Sequence, residues 1–394
     1  WTAHRPGVAN MELALLEDAE TVEQAITIAQ KSGIPAQNFI VADRTGRIAW
    51  TIAGRIPLRI GNYDPWLPAD WSVPGTGWKG WLPPEQYPLI VDPSSQRLWS
   101  ANARAVDGIM LARLGDGDYD LGARAKQIRD SLEQRENFSP ADMLAIQLDD
   151  RALFLAHWQG LLAQTLSQTE AAEWRKEMQA ALDDWDGHAS TSSVAYRLVR
   201  AFRYEVMHSV LDGFAAAVRR NNPKFVMPRL RQAEHAVWKL IEQRPPHLLP
   251  PVYGNWEKLL TACARRVAER MRASPGGIAG RTWGEHNTAR IRHPLSQNLP
   301  AFAAAFLDMP RDKLPGDSNM PRVQAPSFGA ANRLGVAPGE EDKGYFEMPG
   351  GQSGHPLSPY YGSGHADWVA GRPTPFLPGQ PKHTLNLRPH VQKP

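Results

Sequence analysis

Asn38-Phe39-Ile40-Val41-Ala42-Asp43, then Arg44-Thr45-Gly46-Arg47, then Ile48-Ala49-Trp50-Thr51-Ile52-Ala53-Gly54 reads as a pair of β-rich runs joined through a glycine-containing connection, the pattern of a β-hairpin. Asp43 stands where a short polar side chain turns the backbone, and it is read as a turn former with no catalytic role. Upstream, Val22, Ala25, Ile26 and Ala29 recur at helical spacing after Thr21, and Gly33 with Pro35 behind it supplies a stop. A helix of about a dozen residues is predicted there.

Downstream of the hairpin, Pro57 to Pro93 is too rich in Pro and Gly for a regular helix and too aromatic for a flexible linker. It is read as an ordered loop packed by Trp66, Trp71, Trp78 and Trp81. Leu98 to Ala101 is expected to be a short strand ending at Asn102. A helix follows from Ala123 to about Gln134, and Ser139-Pro140-Ala141-Asp142 opens another, with serine as the cap and proline at the first helical position. Amphipathic segments then run over 143–160, 167–185, 193–218, 232–243 and 255–273. After Pro275-Gly276-Gly277 the short runs Arg281-Thr282-Trp283-Gly284, Arg322-Val323-Gln324 and 327–336 are β-prone. Residues 1–122 are therefore read as sheet-forming, 123–275 as mainly helical, 276–374 as a return to the sheet, and 375–394 as an extended arm or tail.

With 394 residues, 42% hydrophobic and 22% charged, the chain can bury a sizeable core, which excludes disorder for most of its length. Lys and Arg number 44 against 41 Asp and Glu, too even a balance for the electrostatic footprint of nucleic-acid binding. No run approaches the roughly 18 consecutive apolar residues of a spanning helix, so no membrane insertion is expected. The single cysteine, Cys263, removes internal disulfides and cysteine metal clusters, and its amphipathic setting reads as a small buried hydrophobe. Trp1-Thr2-Ala3-His4-Arg5 carries neither Met nor a signal sequence and reads as mid-domain sequence, the product of processing or part of something longer.

Several segments in order then narrow the field: Arg5-Pro6-Gly7-Val8-Ala9-Asn10, the hairpin from Gln37, Pro74-Gly75-Thr76-Gly77, Ala101-Asn102-Ala103-Arg104, Thr282-Trp283-Gly284-Glu285-His286-Asn287, and Gly350-Gly351-Gln352-Ser353-Gly354-His355-Pro356-Leu357-Ser358-Pro359. Together they resemble the β-subunit of the penicillin acylase family, along nearly the whole chain. The resemblance implies an α+β fold: part of the αββα sandwich of N-terminal-nucleophile hydrolases, with a helical middle segment. It also implies a precursor that cuts itself into α and β chains, and an N-terminal serine that cleaves an acylated amine with its own α-amine as base. That serine and the first part of the β-subunit would lie upstream of Trp1. The α chain and this upstream segment are thus the expected partners, beside a small acylated amine substrate, and export to the periplasm or secretion is the expected localisation.

By residue type alone, Asn102 is a strand-end turn asparagine and Arg124 a solvated arginine at a helix start. The resemblance makes Asn102 the side-chain amide that donates to the oxyanion and Arg124 the arginine that orders the site. Between them, Val106-Asp107-Gly108-Ile109-Met110 departs from the acidic stretch the family often has. No cofactor is required for the chemistry, but some members hold a structural calcium through a proline carbonyl in an Asp-Pro stretch, and Asp64-Pro65 resembles it. Most carboxylate ligands for such a cation would come from upstream or from the α chain. The tryptophans of the long loop either pack it or line the acyl-side cleft. Ser353 lacks the glycine two residues on that a nucleophile elbow requires, since position 355 is His. His286, His293, His355 and His365 form no metal-binding pair and read as satisfied loop histidines. The alternative to an amidohydrolase is a family-derived binding or structural protein without catalysis, and the residue at the mature β-chain N-terminus separates the two.

Overall fold

The computed structural model describes residues 2–65, 67–115, 118–228 and 230–389. Helix α1 (Val22–Lys31) starts at Thr21, whose side chain accepts from the Gln24 N–H, and buries Val22, Ala25, Ile26 and Ala29. Strands β1 (Gln37–Ala42) and β2 (Ile48–Ala53) form the antiparallel hairpin, with Asp43 Oδ1 accepting from the Thr45 N–H and Oγ1–H at 2.9 and 2.6 Å across the turn. β2 is central because its two faces are used differently. Ala49 meets Val22 and Ile26 of α1, while Trp50 and Ile52 pack with Ile56, Leu82 and Tyr87 on the other side.

The Pro- and Trp-rich stretch is more regular than its composition suggests. β3 (Pro57–Ile60) pairs with β4 (Gly77–Trp81) as a separate ladder, and β5 (Leu89–Val91) joins the far edge of β2, giving the order β1-β2-β5. The described tryptophans pack in part: Trp71 meets Tyr63 edge-on yet stays 55% exposed, and Trp78 and Trp81 lie part-buried on β4. Trp66 lies outside the described residues. The strand expected at 98–101 is also absent, since Leu98 to Ser100 pairs with no described strand and Ala101 and Asn102 turn the chain with φ of +50° and +60°. The segment after Asn102 instead packs Ala105 and Val106 onto the Trp50 cluster and leads into helix α2 (Gly108–Leu114).

Helix α3 (Ala123–Leu132) precedes α4 (Pro140–Gln147), whose Ser139–Asp142 capping box matches the reading of that sequence. The single helix expected over 143–160 breaks at Asp149-Asp150-Arg151-Ala152, where Asp149 takes the Arg151 backbone N–H at 3.0 Å and its guanidinium, before α5 (Ala156–Gln168) begins. With α6 (Glu173–Asp183), α7 (Val194–Arg219), α8 (Glu234–Gln243) and α9 (Trp256–Arg272), α5 forms the main core, around Trp158, Phe202, Val206, Leu259 and Val267. Cys263 is buried in it.

Arg281-Thr282-Trp283-Gly284 is a helix start, not a strand. Thr282 Oγ1 caps α10 (Trp283–His286) by accepting from the Glu285 N–H, and a Cβ on Gly284 would sit 2.7 Å from the Thr191 carbonyl. Asn287 then donates its buried amide to the carbonyls of Leu314, Gly316 and Gln324. After the short α11 (Ala301–Ala304), β6 (Gln324–Ala325) pairs with β7 (Phe328–Gly329) and β8 (Arg333–Gly335) with β9 (Tyr345–Glu347). These ladders are separate from β1-β2-β5, so the strands of 276–374 pair with one another instead of rejoining that sheet. Helix α12 (His365–Ala370) buries Trp368, and beyond a bridge from Pro375 to Tyr345 residues 379–389 are exposed and without regular structure. Among the described residues no helix is long and apolar enough to cross a membrane.

Candidate active site

The Trp50 cluster fixes where the chain leaves the sheet, because Ala105 and Val106 pack on it just after Asn102. Asn102 is exposed at this turn, and its backbone carbonyl accepts from the Asp120 N–H at 3.0 Å, closing the excursion through α2. Arg124 lies in the first turn of α3, so its side chain points back toward Ala101 and Asn102. Its Nη2 donates to the Ala101 carbonyl at 2.9 Å, to Asn102 Oδ1 at 2.7 Å and to Asp120 Oδ2 at 3.2 Å. Burial pulls the Arg124 guanidinium below its usual pKa and Asp120 pulls it back, leaving a cation under all ordinary conditions.

A guanidinium has only donors, so the atom of Asn102 that faces it must be the amide oxygen. The Asn102 Nδ2 hydrogens are thereby turned away, and among the described residues they donate to no protein group. The result is a neutral amide donor held on its acceptor side by a charge-assisted bond.

Asp120 is held in turn from the helical body. Arg231 pairs with Asp120 and, at 2.9 Å, with Asp118, while Gln232 Nε2 donates to the carbonyls of Tyr119 at 2.6 Å and Asp120 at 3.0 Å. Sequence reasoning brought Asn102 and Arg124 forward but missed Asp120, Arg231 and Gln232. No local spacing connects them, and only the acidic pair Asp118/Asp120 between the two site positions hinted at a partner for a cation.

The other candidates fall elsewhere. Pro65 is exposed in a turn closed by the Leu67 N–H to the Asp64 carbonyl at 3.2 Å. No group of three or more His, Cys, Asp or Glu that could hold a metal occurs among the described residues, so one neutral carbonyl at Pro65 does not make the oxygen cage calcium needs. Ser353 is spent on a local turn, accepting from the His355 N–H at 3.1 Å. His365 is a buried strut between the Pro349 carbonyl and Asp312. Val106-Asp107-Gly108-Ile109-Met110, where the family's acidic stretch was expected, is the entry to α2, with Ile109 exposed.

The mixed α+β fold has a counterpart among solved structures. The structure is similar to a thermostable penicillin G acylase from Alcaligenes faecalis, solved in an orthorhombic form, with a TM-score of 0.60 over 96% of this chain and 72% of that one; at 17% identity the likeness is one of fold. The penicillin amidase family model matches residues 1–382, and the chain belongs to that family. It is 28% identical over 385 residues to the penicillin acylase 2 proenzyme of Pseudomonas sp. (strain SE83), covering 93% of this chain and 47% of that protein. It is 25% identical over 414 residues to the acyl-homoserine lactone acylase QuiP of Pseudomonas aeruginosa, again covering 93% and 47%. The chain thus spans about half the length of the curated relatives it matches.

Proposed function

We propose that this chain supplies the oxyanion-stabilising part of an amidohydrolase that removes a hydrophobic N-acyl group from an amine-bearing core, of β-lactam or acyl-homoserine lactone type. The observation that carries this reading is the Arg124 clamp on Asn102 Oδ1, which leaves the exposed amide N–H donors without a protein acceptor among the described residues. The serine nucleophile stands at the N-terminus of a segment upstream of this chain. Its Oγ attacks the amide carbonyl carbon, and its α-amine takes the proton, directly or through water. The carbonyl π electrons move to oxygen, and Asn102 Nδ2–H donates to that oxyanion. Collapse breaks the C–N bond, the leaving nitrogen takes the proton, and water then hydrolyses the acyl ester to free the acid. Arg124 is a positioning residue that holds the amide so that it need not reorganise as charge develops.

In this reading the β1-β2-β5 sheet with α1 is one face of an αββα sandwich completed by the upstream segment and the α chain of the same precursor, after self-cleavage of an exported protein. The names of both curated relatives are consistent with this substrate class. A calcium beside Pro65 would take its carboxylates from those partners.

The test is Asn102→Ala in the complete protein. Loss of one oxyanion donor is expected to lower kcat for amide hydrolysis by about 10²–10³-fold with KM little changed. Unchanged hydrolysis, or a mature N-terminal residue other than Ser, Thr or Cys, overturns the reading.

A further inference from the structure

Between α7, α9 and α10 lies a cavity of about 260 Å³ that shares no residue with the Asn102 site. Arg197, Arg200, Arg270 and Arg281 line it, and among the described residues no carboxylate does. Its apolar surface comes from Val267, Met271, Ala201 and the Trp283 indole, over which the Arg200 guanidinium stacks at 4.9 Å.

The carboxylates that balance these arginines are not among the lining residues. Arg197 and Arg281 share Glu285, at 2.6 and 2.7 Å, Arg200 pairs with Asp317, and Arg270 reaches Glu205 at 2.7 Å. Glu205 is also taken by Arg266 at 2.6 Å, so the local set holds more guanidinium than carboxylate. Arg281 spends Nη1 on Glu285 and Nη2 on the Pro275 carbonyl, yet its Nε–H is buried without a hydrogen-bond partner. Crowding, with the charges of Arg200 and Arg197, also holds the neighbouring His286 imidazole below its ordinary pKa, a second sign of positive potential there.

We propose that this cavity is a binding site for a small carboxylate with an apolar body. The carboxylate would be taken by the wall of four guanidinium groups and the body by Val267, Met271 and Trp283. Planar bidentate recognition of carboxylate is what arginine does better than lysine, and the aliphatic and indole surface favours an organic acid over a bare inorganic anion.

Isothermal titration of the complete protein with benzoate tests this, with benzamide as the uncharged analogue and inorganic phosphate as the anion without an apolar body. Benzoate is expected to bind with a Kd of about 1 mM, the range open to so small a ligand, and benzamide and phosphate at least tenfold more weakly. Arg270→Glu, at a side chain 56% exposed, and Arg281→Gln, checked for folding by far-UV circular dichroism, should each weaken benzoate at least tenfold. Asn102→Ala should leave its binding unchanged. Absence of benzoate binding, equal binding of benzamide or phosphate, indifference to both arginine variants, or loss of binding in Asn102→Ala overturns the proposal.

Discussion

Asn102 carries its side chain on a left-handed backbone, with φ of +60° directly after Ala101 at +50°. Asparagine tolerates that region better than most residues, and glycine best of all. Asn102→Gly therefore keeps the turn while removing the amide, and should lose hydrolysis as Asn102→Ala does but retain thermal stability better; Tm and kcat measured on both variants separate backbone from side chain. Arg124→Lys keeps the charge, but its shorter stem does not carry a nitrogen to the point where Nη2 meets the Ala101, Asn102 and Asp120 acceptors, so kcat should fall about tenfold or more while KM moves little. Cys263 shows the opposite behaviour. Burial raises its thiol pKa to about 11, so it should resist a thiol reagent at pH 8 in the native protein and react fully in denaturant. That cysteine was legible as a buried hydrophobe from its helical setting. Asn102 and Arg124, 22 residues apart, were legible only through family resemblance, since an irregular turn and a helix start have no periodic signal that brings them together.

Elements with their own caps were the readable ones. Thr21 and Ser139-Pro140 announce α1 and α4 because the cap and the orphan N–H groups it satisfies lie within three residues. The same logic was available at Thr282-Trp283-Gly284-Glu285, where threonine followed by glutamate three residues later outranks the β-propensity of Thr and Trp. β3, β4 and β5 were hidden for a different reason: their partners are set by tertiary pairing across a Pro-rich stretch with no alternating pattern. Helix α7 is tied to the 312–318 segment by Asp317, which accepts from Tyr196 Oη at 2.8 Å and pairs with Arg200. Burial alone would raise this carboxyl's pKa, but Arg200 and its hydrogen bonds bring it below the ordinary value. Its stabilising contribution is thus present above the unfolded value, about 3.9, and is lost as pH falls through the lower folded value. Asp317→Asn leaves Arg200 buried without its counter-charge and should cost about 3–5 kcal/mol in denaturant titrations at pH 7, with the deficit shrinking in acid.

Across the molecule, apolar burial is uneven. The largest cluster joins α5 to α9, whereas the β1-β2-β5 sheet rests on the small groups around Trp50 and Val22. Amides of α7 and α9 should therefore exchange with deuterium most slowly, and those of β1, whose Ile40 is 49% exposed, much faster; equal protection in both would contradict this distribution. The division into a sheet-bearing first part and a helical middle was visible in composition and periodicity. The separate ladders of 276–374 were not, because strands of two or three residues carry too little pattern to name their partners. One tie between the parts has a temporal side. Asp120, which completes the acceptor set of Arg124, is held by Arg231, 111 residues further along the chain. A ribosome adding about 5–20 residues per second makes Asp120 roughly 6–22 s before Arg231. The nascent site must wait that long for its last brace, so its order is a late event in the birth of the protein even though both residues named from the sequence emerge early.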